Sequence, residues 1–195
     1  MMHRIQCKCG ALQGHIQGSG TSSRIVCYCA DCRAFAKFLD CSDEVLDAQG
    51  GSEIVQLTQP RVVFSQGEEH LAAVRLSEKG LLRWYAGCCK TPIGNTLANP
   101  KVSFIGLIRP FLDQSMIEKD FGSSIAVVNV DSAIGEPKPV QKGLFGVILR
   151  FIWMVLPMRI SGQYRGSPLF TESGEPVVTP KVLTAEERNA LKAEV

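Results

Sequence analysis

Arg61-Val62-Val63-Phe64-Ser65-Gln66-Gly67-Glu68-Glu69-His70-Leu71-Ala72-Ala73-Val74-Arg75-Leu76-Ser77-Glu78-Lys79-Gly80-Leu81-Leu82-Arg83-Trp84-Tyr85 reads as three apolar runs of strand length separated by turns. Residues 61–64, 71–76 and 81–85 are rich in β-branched, leucine and aromatic side chains, whereas Ser65-Gln66-Gly67 and Ser77-Glu78-Lys79-Gly80 are turn composition. That punctuation predicts hairpins and a meander. Two further β-branched runs, residues 102–108 and 125–130, lie downstream. Short helices are predicted at residues 31–37 and 42–46, the second opened by a serine or aspartate cap. Residues 1–130 are therefore expected to form a mainly β domain of short antiparallel sheets.

Gly135-Glu136-Pro137-Lys138-Pro139 breaks the pattern, and residues 131–195 read as an extension packed on the same domain. Within it, residues 144–156 are almost continuously apolar, apart from Gly146 and Arg150, and predict a helix ended by Pro157. A membrane-spanning helix needs about 20 apolar residues. This run is shorter and carries Arg150 at its centre, so no transmembrane span is expected. It reads as a buried helix or one that forms a homodimer, with an interfacial membrane helix as the alternative. Residues 162–180 are loop-like. Thr184-Ala185-Glu186-Glu187 then has the spacing of a capping box, with Leu183 placed as a staple, and predicts a short terminal helix.

At 195 residues and 45% hydrophobic, the chain can bury a core without covalent staples. The 21 basic and 19 acidic residues are scattered and leave a net charge of +2, which disfavours nucleic acid as a partner. The N-terminus meets a cysteine at once and has no apolar run of signal-peptide length, so a cytoplasmic location is expected. In a reducing compartment, eight cysteines read as metal ligands or catalytic thiols rather than disulfides.

Cys27-Tyr28-Cys29-Ala30-Asp31-Cys32-Arg33 puts three thiols within six residues, close enough for one turn to aim them at a single ion. Thiolates select a soft cation, and Zn²⁺ imposes no geometry of its own. Three ligands without an obvious fourth define an open site, completed by water or a substrate thiolate. Cys41, nine residues on, is the nearest fourth candidate, but a lone cysteine among apolar residues usually packs as a small hydrophobe. Cys7-Lys8-Cys9 supplies half of another site, and Cys88-Cys89 is the cysteine-rich segment left to complete it. Neighbouring side chains on an extended backbone point to opposite faces, so Cys88 reads either as a ligand or as a packed thiol. His3, His15 and His70 are spread singly, without metal-ligand spacing. The chain has neither a phosphate-cradling glycine loop nor a serine-hydrolase elbow.

Taken with Arg83-Trp84-Tyr85-Ala86-Gly87-Cys88-Cys89-Lys90-Thr91-Pro92, the order and spacing of these cysteines resemble the glutathione-dependent formaldehyde-activating enzyme and centromere protein V family over roughly residues 5–130. The resemblance implies a β-tent fold, with Cys7, Cys9 and Cys89 holding a structural zinc and Cys27, Cys29 and Cys32 an open catalytic one. It also implies a carbon-sulfur lyase that joins glutathione, as co-substrate, to formaldehyde as S-hydroxymethylglutathione, or releases the two. The sequence departs from the family at Ala86, where a cysteine is usual, and at Tyr28, where histidine is common.

One or two zinc ions are thus expected, with a small-molecule thiol and aldehyde as partners. Arg33, with Lys37, is the candidate for the thiol cofactor's carboxylates, and Tyr28 is a further substrate contact; a surface ion pair with Asp31 is the plainer role for Arg33. The competing reading is a non-catalytic, zinc-stabilised protein-interaction module, and a zinc-ribbon nucleic-acid binder comes third.

Overall fold

The structure, a computed structural model, describes residues 2–193. In chain order the strands are β1 (Met2–Gln6), β2 (Gln13–Gln17), β3 (Ser23–Cys27), β4 (Ser52–Leu57), β5 (Val62–Gln66), β6 (Leu71–Arg75), β7 (Leu82–Ala86), β8 (Thr91–Thr96), β9 (Ile105–Ile108), β10 (Ile125–Val128) and β11 (Lys181–Val182). The helices are α1 (Ala30–Phe38), α2 (Ser42–Val45), α3 (Ile117–Phe121), α4 (Leu144–Ser161) and α5 (Ala185–Ala193). The strands form a three-stranded sheet, β1-β2-β5, and an eight-stranded sheet, β10-β3-β4-β9-β8-β7-β6-β11. All pairings are antiparallel except β10 with β3 and β11 with β6. The molecule is mainly β, built of short antiparallel sheets with a C-terminal helical segment, as the turn punctuation predicts.

The two sheets share one core. In β1, alternation turns His3 and Ile5 inward; Ile5 joins Leu12, Ile16, Phe111 and Trp84 in one buried cluster, while the His3 ring lies against that of Phe121. Each such aliphatic or aromatic side chain contributes roughly 1.5–3 kcal/mol by leaving water. Trp84 Nε1 donates to Thr96 Oγ1 at 2.9 Å, which satisfies the one polar atom of the largest core residue. The C-terminal segment belongs to the same core: Leu169 is fully buried, and the Phe170 ring meets that of Trp84 edge-on at 6.1 Å.

Four expectations need correction. Residues 65–67 do not turn a hairpin, because β5 leaves to pair with β2 in the small sheet while β6 joins β7 in the large one. Composition marks a turn but not which sheet receives the next strand. The run at 102–108 yields a strand only at Ile105–Ile108. The apolar helix does not stop at Pro157. A proline forfeits one backbone donor and leaves later residues free to continue, so α4 runs a further turn to Ser161. It ends at Gly162, whose φ of +75° is the left-handed stop that glycine adopts without strain. Nor is α4 a buried helix: of its 18 residues only Val147 and Met154 are buried. The terminal capping box is present as read. Glu187 N–H donates to Thr184 Oγ1 at 3.1 Å, and Thr184 N–H donates to the Glu187 carboxylate at 2.9 Å.

Candidate metal centres

Topology brings the cysteines into two groups. The first joins the two sheets. Cys7 and Cys9 lie in the turn between β1 and β2, and Cys88 and Cys89 in the turn between β7 and β8. The Sγ separations are 3.5 Å for Cys7–Cys9, 3.8 Å for Cys7–Cys88, 3.4 Å for Cys9–Cys88 and 3.8 Å for Cys88–Cys89. All four sulfurs lie within 4.8 Å of one another. A tetrahedral ion with Zn–S bonds of about 2.3 Å requires sulfur-sulfur edges of about 3.8 Å. A disulfide requires about 2.05 Å. The group therefore has the dimensions of a four-thiolate metal site, and the thiols are free.

Cys88 and Cys89 both reach this group because the backbone between β7 and β8 is turned, not extended. Cys89 N–H donates back to Ala86 O at 3.4 Å, and Lys90 sits in the left-handed region at φ +56°. The alternation that would separate neighbouring side chains does not apply there. Backbone and hydroxyl groups surround the sulfurs: Leu12 N–H donates to Cys7 Sγ at 3.3 Å, Thr91 Oγ1 lies 3.1 Å from Cys89 Sγ, and Lys8 N–H donates to the same Thr91 oxygen at 2.9 Å. Burial acts to raise the Cys89 thiol. Hydrogen bonds from the Thr91 side chain and the Cys9 and Thr91 backbone outweigh it and draw the thiol down to about 6. Burial pushes Cys7 and Cys88 upward, so in the metal-free protein the negative charge gathers on Cys89.

The second group is local. Cys27 closes β3, Cys29 is the residue that caps α1, and Cys32 lies in the first turn of α1, with its N–H donating to Cys29 O at 3.0 Å. The three sulfurs lie within 4.8 Å of one another, with Cys29 and Cys32 3.3 Å apart. The amino end of α1 turns its partial positive charge toward them, which favours thiolate. Hydrogen bonds from the Cys29 and Cys32 thiols, helped by the Cys29 backbone and the Asn129 amide, hold Cys27 down to about 2. The same sharing raises Cys29 and Cys32. A cluster that concentrates negative charge on sulfur in this way fits a soft divalent cation. Among the described residues no fourth metal-ligating side chain joins the three.

Tyr28 is buried, and its hydroxyl donates to Asp47 at 2.8 Å; burial, then the Asp47 hydrogen bond, pushes it up to about 12. Arg33 is also buried, with its guanidinium donating to the backbone carbonyls of Tyr28 at 2.7 Å and Ser132 at 2.6 Å. Asp31 pairs with Lys192 at 2.6 Å and faces Arg83 at 3.9 Å, not Arg33. Cys41 stays outside both groups, packed on an apolar cluster and raised to about 11 by burial. The histidines also lie outside, His3 being buried against Asp120 at 2.7 Å. Two contributors escaped the sequence reading. Thr91 was visible only as part of a turn. Asn129, whose amide donates to Cys27 Sγ at 3.2 Å, ends a strand in the left-handed conformation at φ +57°, a role asparagine tolerates and composition alone does not mark.

Fold and thiol groups together define a mainly β protein with one four-cysteine and one three-cysteine group, each able to hold a metal ion. The chain belongs to the family of unknown function DUF6151, whose profile matches residues 2–180. No curated protein matches it. Among solved structures it is similar to a Rhodobacter sphaeroides protein determined as a Northeast Structural Genomics target, at 16% identity and a TM-score of 0.42 over 64% of this chain and 99% of that one.

Proposed function

We propose that the chain is a zinc protein whose Cys27, Cys29 and Cys32 group carries a carbon-sulfur lyase activity on the thiol adduct of a small aldehyde, with the four-cysteine group as a structural clamp. The observation that carries this reading is the incomplete donor set of the second group: three sulfurs at a helix amino end and no fourth ligand among the described residues. The cysteine pattern's resemblance to the glutathione-dependent formaldehyde-activating and centromere protein V family supports the same chemistry.

Zinc bound there would keep the sulfurs ionised at neutral pH and offer one position to an incoming thiolate. Asn129 orients Cys27 through its amide, and the first turn of α1 fixes Cys29 and Cys32. Ala126, Val128 and Val147 pack against the group as an apolar wall that limits water. In the forward direction a glutathione-like thiolate forms a bond to the aldehyde carbon, the carbonyl pair moves to oxygen, and that oxygen takes a proton; the reverse breaks the same bond. Holding both reactants together replaces a dilute encounter by proximity.

One observation favours a second reading, the non-catalytic interaction module. Arg33 and Tyr28, the candidates for substrate contact, are turned inward and held by backbone carbonyls and Asp47. Exchange NMR of glutathione, formaldehyde and the adduct in the presence of zinc-loaded protein separates the two. The lyase reading expects exchange faster than the uncatalysed rate and lost in Cys29→Ser while one equivalent of zinc is retained. Exchange at the uncatalysed rate, with both metal ions bound, supports the module instead.

A further inference from the structure

Outside both thiol groups, the feature least accounted for by the fold is α4. Its 18 residues make a helix about 27 Å long. Val147 and Met154, its two buried residues, lie on one side, and Phe151 meets the Phe104 ring at 5.3 Å on the flank of that side. The opposite face holds Phe145, Ile148, Ile152, Trp153, Leu156 and Ile160, which are 74, 47, 49, 71, 52 and 78% exposed. An ordinary surface helix turns its apolar stripe to the core and its polar residues to water. In α4 the face turned away from the protein is the more apolar one, a contiguous patch of the kind that marks an interaction surface.

We infer that α4 docks the protein on the surface of an anionic lipid bilayer. Charge selects this occupant. From residue 137 to residue 171 the chain contains Lys138, Lys142, Arg150, Arg159 and Arg165, and no Asp or Glu at all. The other 16 basic residues face all 19 acidic ones elsewhere, since 21 − 5 = 16. Arg150 and Arg159 have no ion-pair partner among the described residues. A second copy docked face to face would bring these cations against their own images with no acid to pair them. Anionic headgroups satisfy them while the acyl region receives the apolar face, and the long arginine stems reach the headgroups from within it. An exposed tryptophan on such a face is the usual interfacial anchor.

The helix lies along the bilayer and does not cross it. Upstream, β10 is paired with β3, and downstream Leu169 and Phe170 sit in the core with Trp84. Both ends of α4 are thus tied to the same β domain, leaving no chain to continue on a far side. Val147 packs in the same cluster as Cys27 and Cys32, so docking would hold the three-cysteine group beside the membrane surface.

The test is vesicle flotation of the full chain with phosphatidylcholine vesicles, with and without phosphatidylglycerol, read together with tryptophan emission. Trp84 is fully buried and Trp153 exposed, so a blue shift on adding vesicles reports Trp153. Wild type should float with phosphatidylglycerol-containing vesicles and shift its emission. Trp153→Ser with Ile160→Ser should lower partitioning by about tenfold or more, without moving the unfolding midpoint, because both side chains face solvent. Arg150→Gln with Arg159→Gln should lower it by about tenfold and remove most of the preference for the anionic lipid. Phe145→Ser serves as a second apolar variant. The inference is overturned if wild type floats with neither vesicle, or if the apolar variants float as well as wild type. It is also overturned if ultracentrifugation shows a dimer that those variants dissociate while no lipid binding occurs.

Discussion

Replacing Cys88 by serine asks whether the four-cysteine group is a metal clamp or a cluster of packed thiols. Cys88 is exposed, and if it were only a surface thiol its loss would move stability within about 0.5 kcal/mol. As a ligand it has a different cost. Cys7 and Cys88, 3.8 Å apart, are separated by 81 positions in sequence, so an ion held between them binds only the folded chain and its binding energy is folding energy. Three remaining thiolates that grip zinc about 1,000- to 5,000-fold more weakly forfeit about 4–5 kcal/mol of that energy. For a domain of this size that is roughly 10–20 °C in unfolding midpoint. The assay is scanning calorimetry of wild type and Cys88→Ser, each zinc-loaded and each stripped by chelator under reductant. Wild type should lose at least this increment on stripping, Cys88→Ser should start well below zinc-loaded wild type, and the two stripped proteins should coincide within about 0.5 kcal/mol. Equal midpoints for the two zinc-loaded proteins would refute Cys88 as a ligand, and a wild-type midpoint unmoved by stripping would refute the clamp.

In the metal-free protein, Cys27 is ionised from about pH 2 when folded but only near 9.0 when unfolded, so the unfolded chain holds the extra proton across that window. Its contribution is therefore complete above 9.0 and is lost as pH falls; the raised Cys29 and Cys32 oppose it only above 9.0. Urea unfolding of stripped wild type and Cys27→Ser should show a stability difference that grows from about pH 5 to about pH 8, and a constant difference would remove Cys27 as the thiolate. Gly14→Ala sets a methyl 2.2 Å from Val63 O in the β2–β5 pairing, and a loss of more than about 2 kcal/mol should follow in chemical unfolding; a neutral outcome would mean the small sheet yields at that contact. Thr184→Ala removes one arm of the terminal capping box and should cost about 1 kcal/mol, seen as faster hydrogen exchange in α5, whereas unchanged protection would show that α5 is held by packing alone.

Much of this was legible in the sequence for identifiable reasons. The triplet at Cys27, Cys29 and Cys32 is local, so spacing alone places the sulfurs together once β3 gives way to α1. The pairing of Cys7 and Cys9 with the Cys88-Cys89 segment is non-local, yet that segment is the cysteine-rich place left to complete the site; the choice of Cys89 within it is what the family resemblance implies. Cys88 was ambiguous because its placement depends on a turn whose left-handed residue is Lys90, an unusual choice that composition does not announce. The capping box was readable because its two hydrogen bonds span three residues. The departure of β5 to the small sheet was not, because strand-pairing choice depends on contacts far apart in the chain. The exposure of α4 was hidden for the opposite reason: an apolar helix reads as buried, and only the placement of Val147 and Met154 shows which face is covered.

The two thiol groups differ in one respect: among the described residues one has four sulfurs and the other three, with no fourth ligand. Cadmium NMR of the cadmium-substituted protein tests it directly. Two resonances are predicted, one at the position of a four-thiolate site and unmoved by glutathione, the other shifted toward mixed sulfur and oxygen coordination and moving toward the four-thiolate position as glutathione is added. A second resonance already at the four-thiolate position, indifferent to glutathione, would contradict the open site.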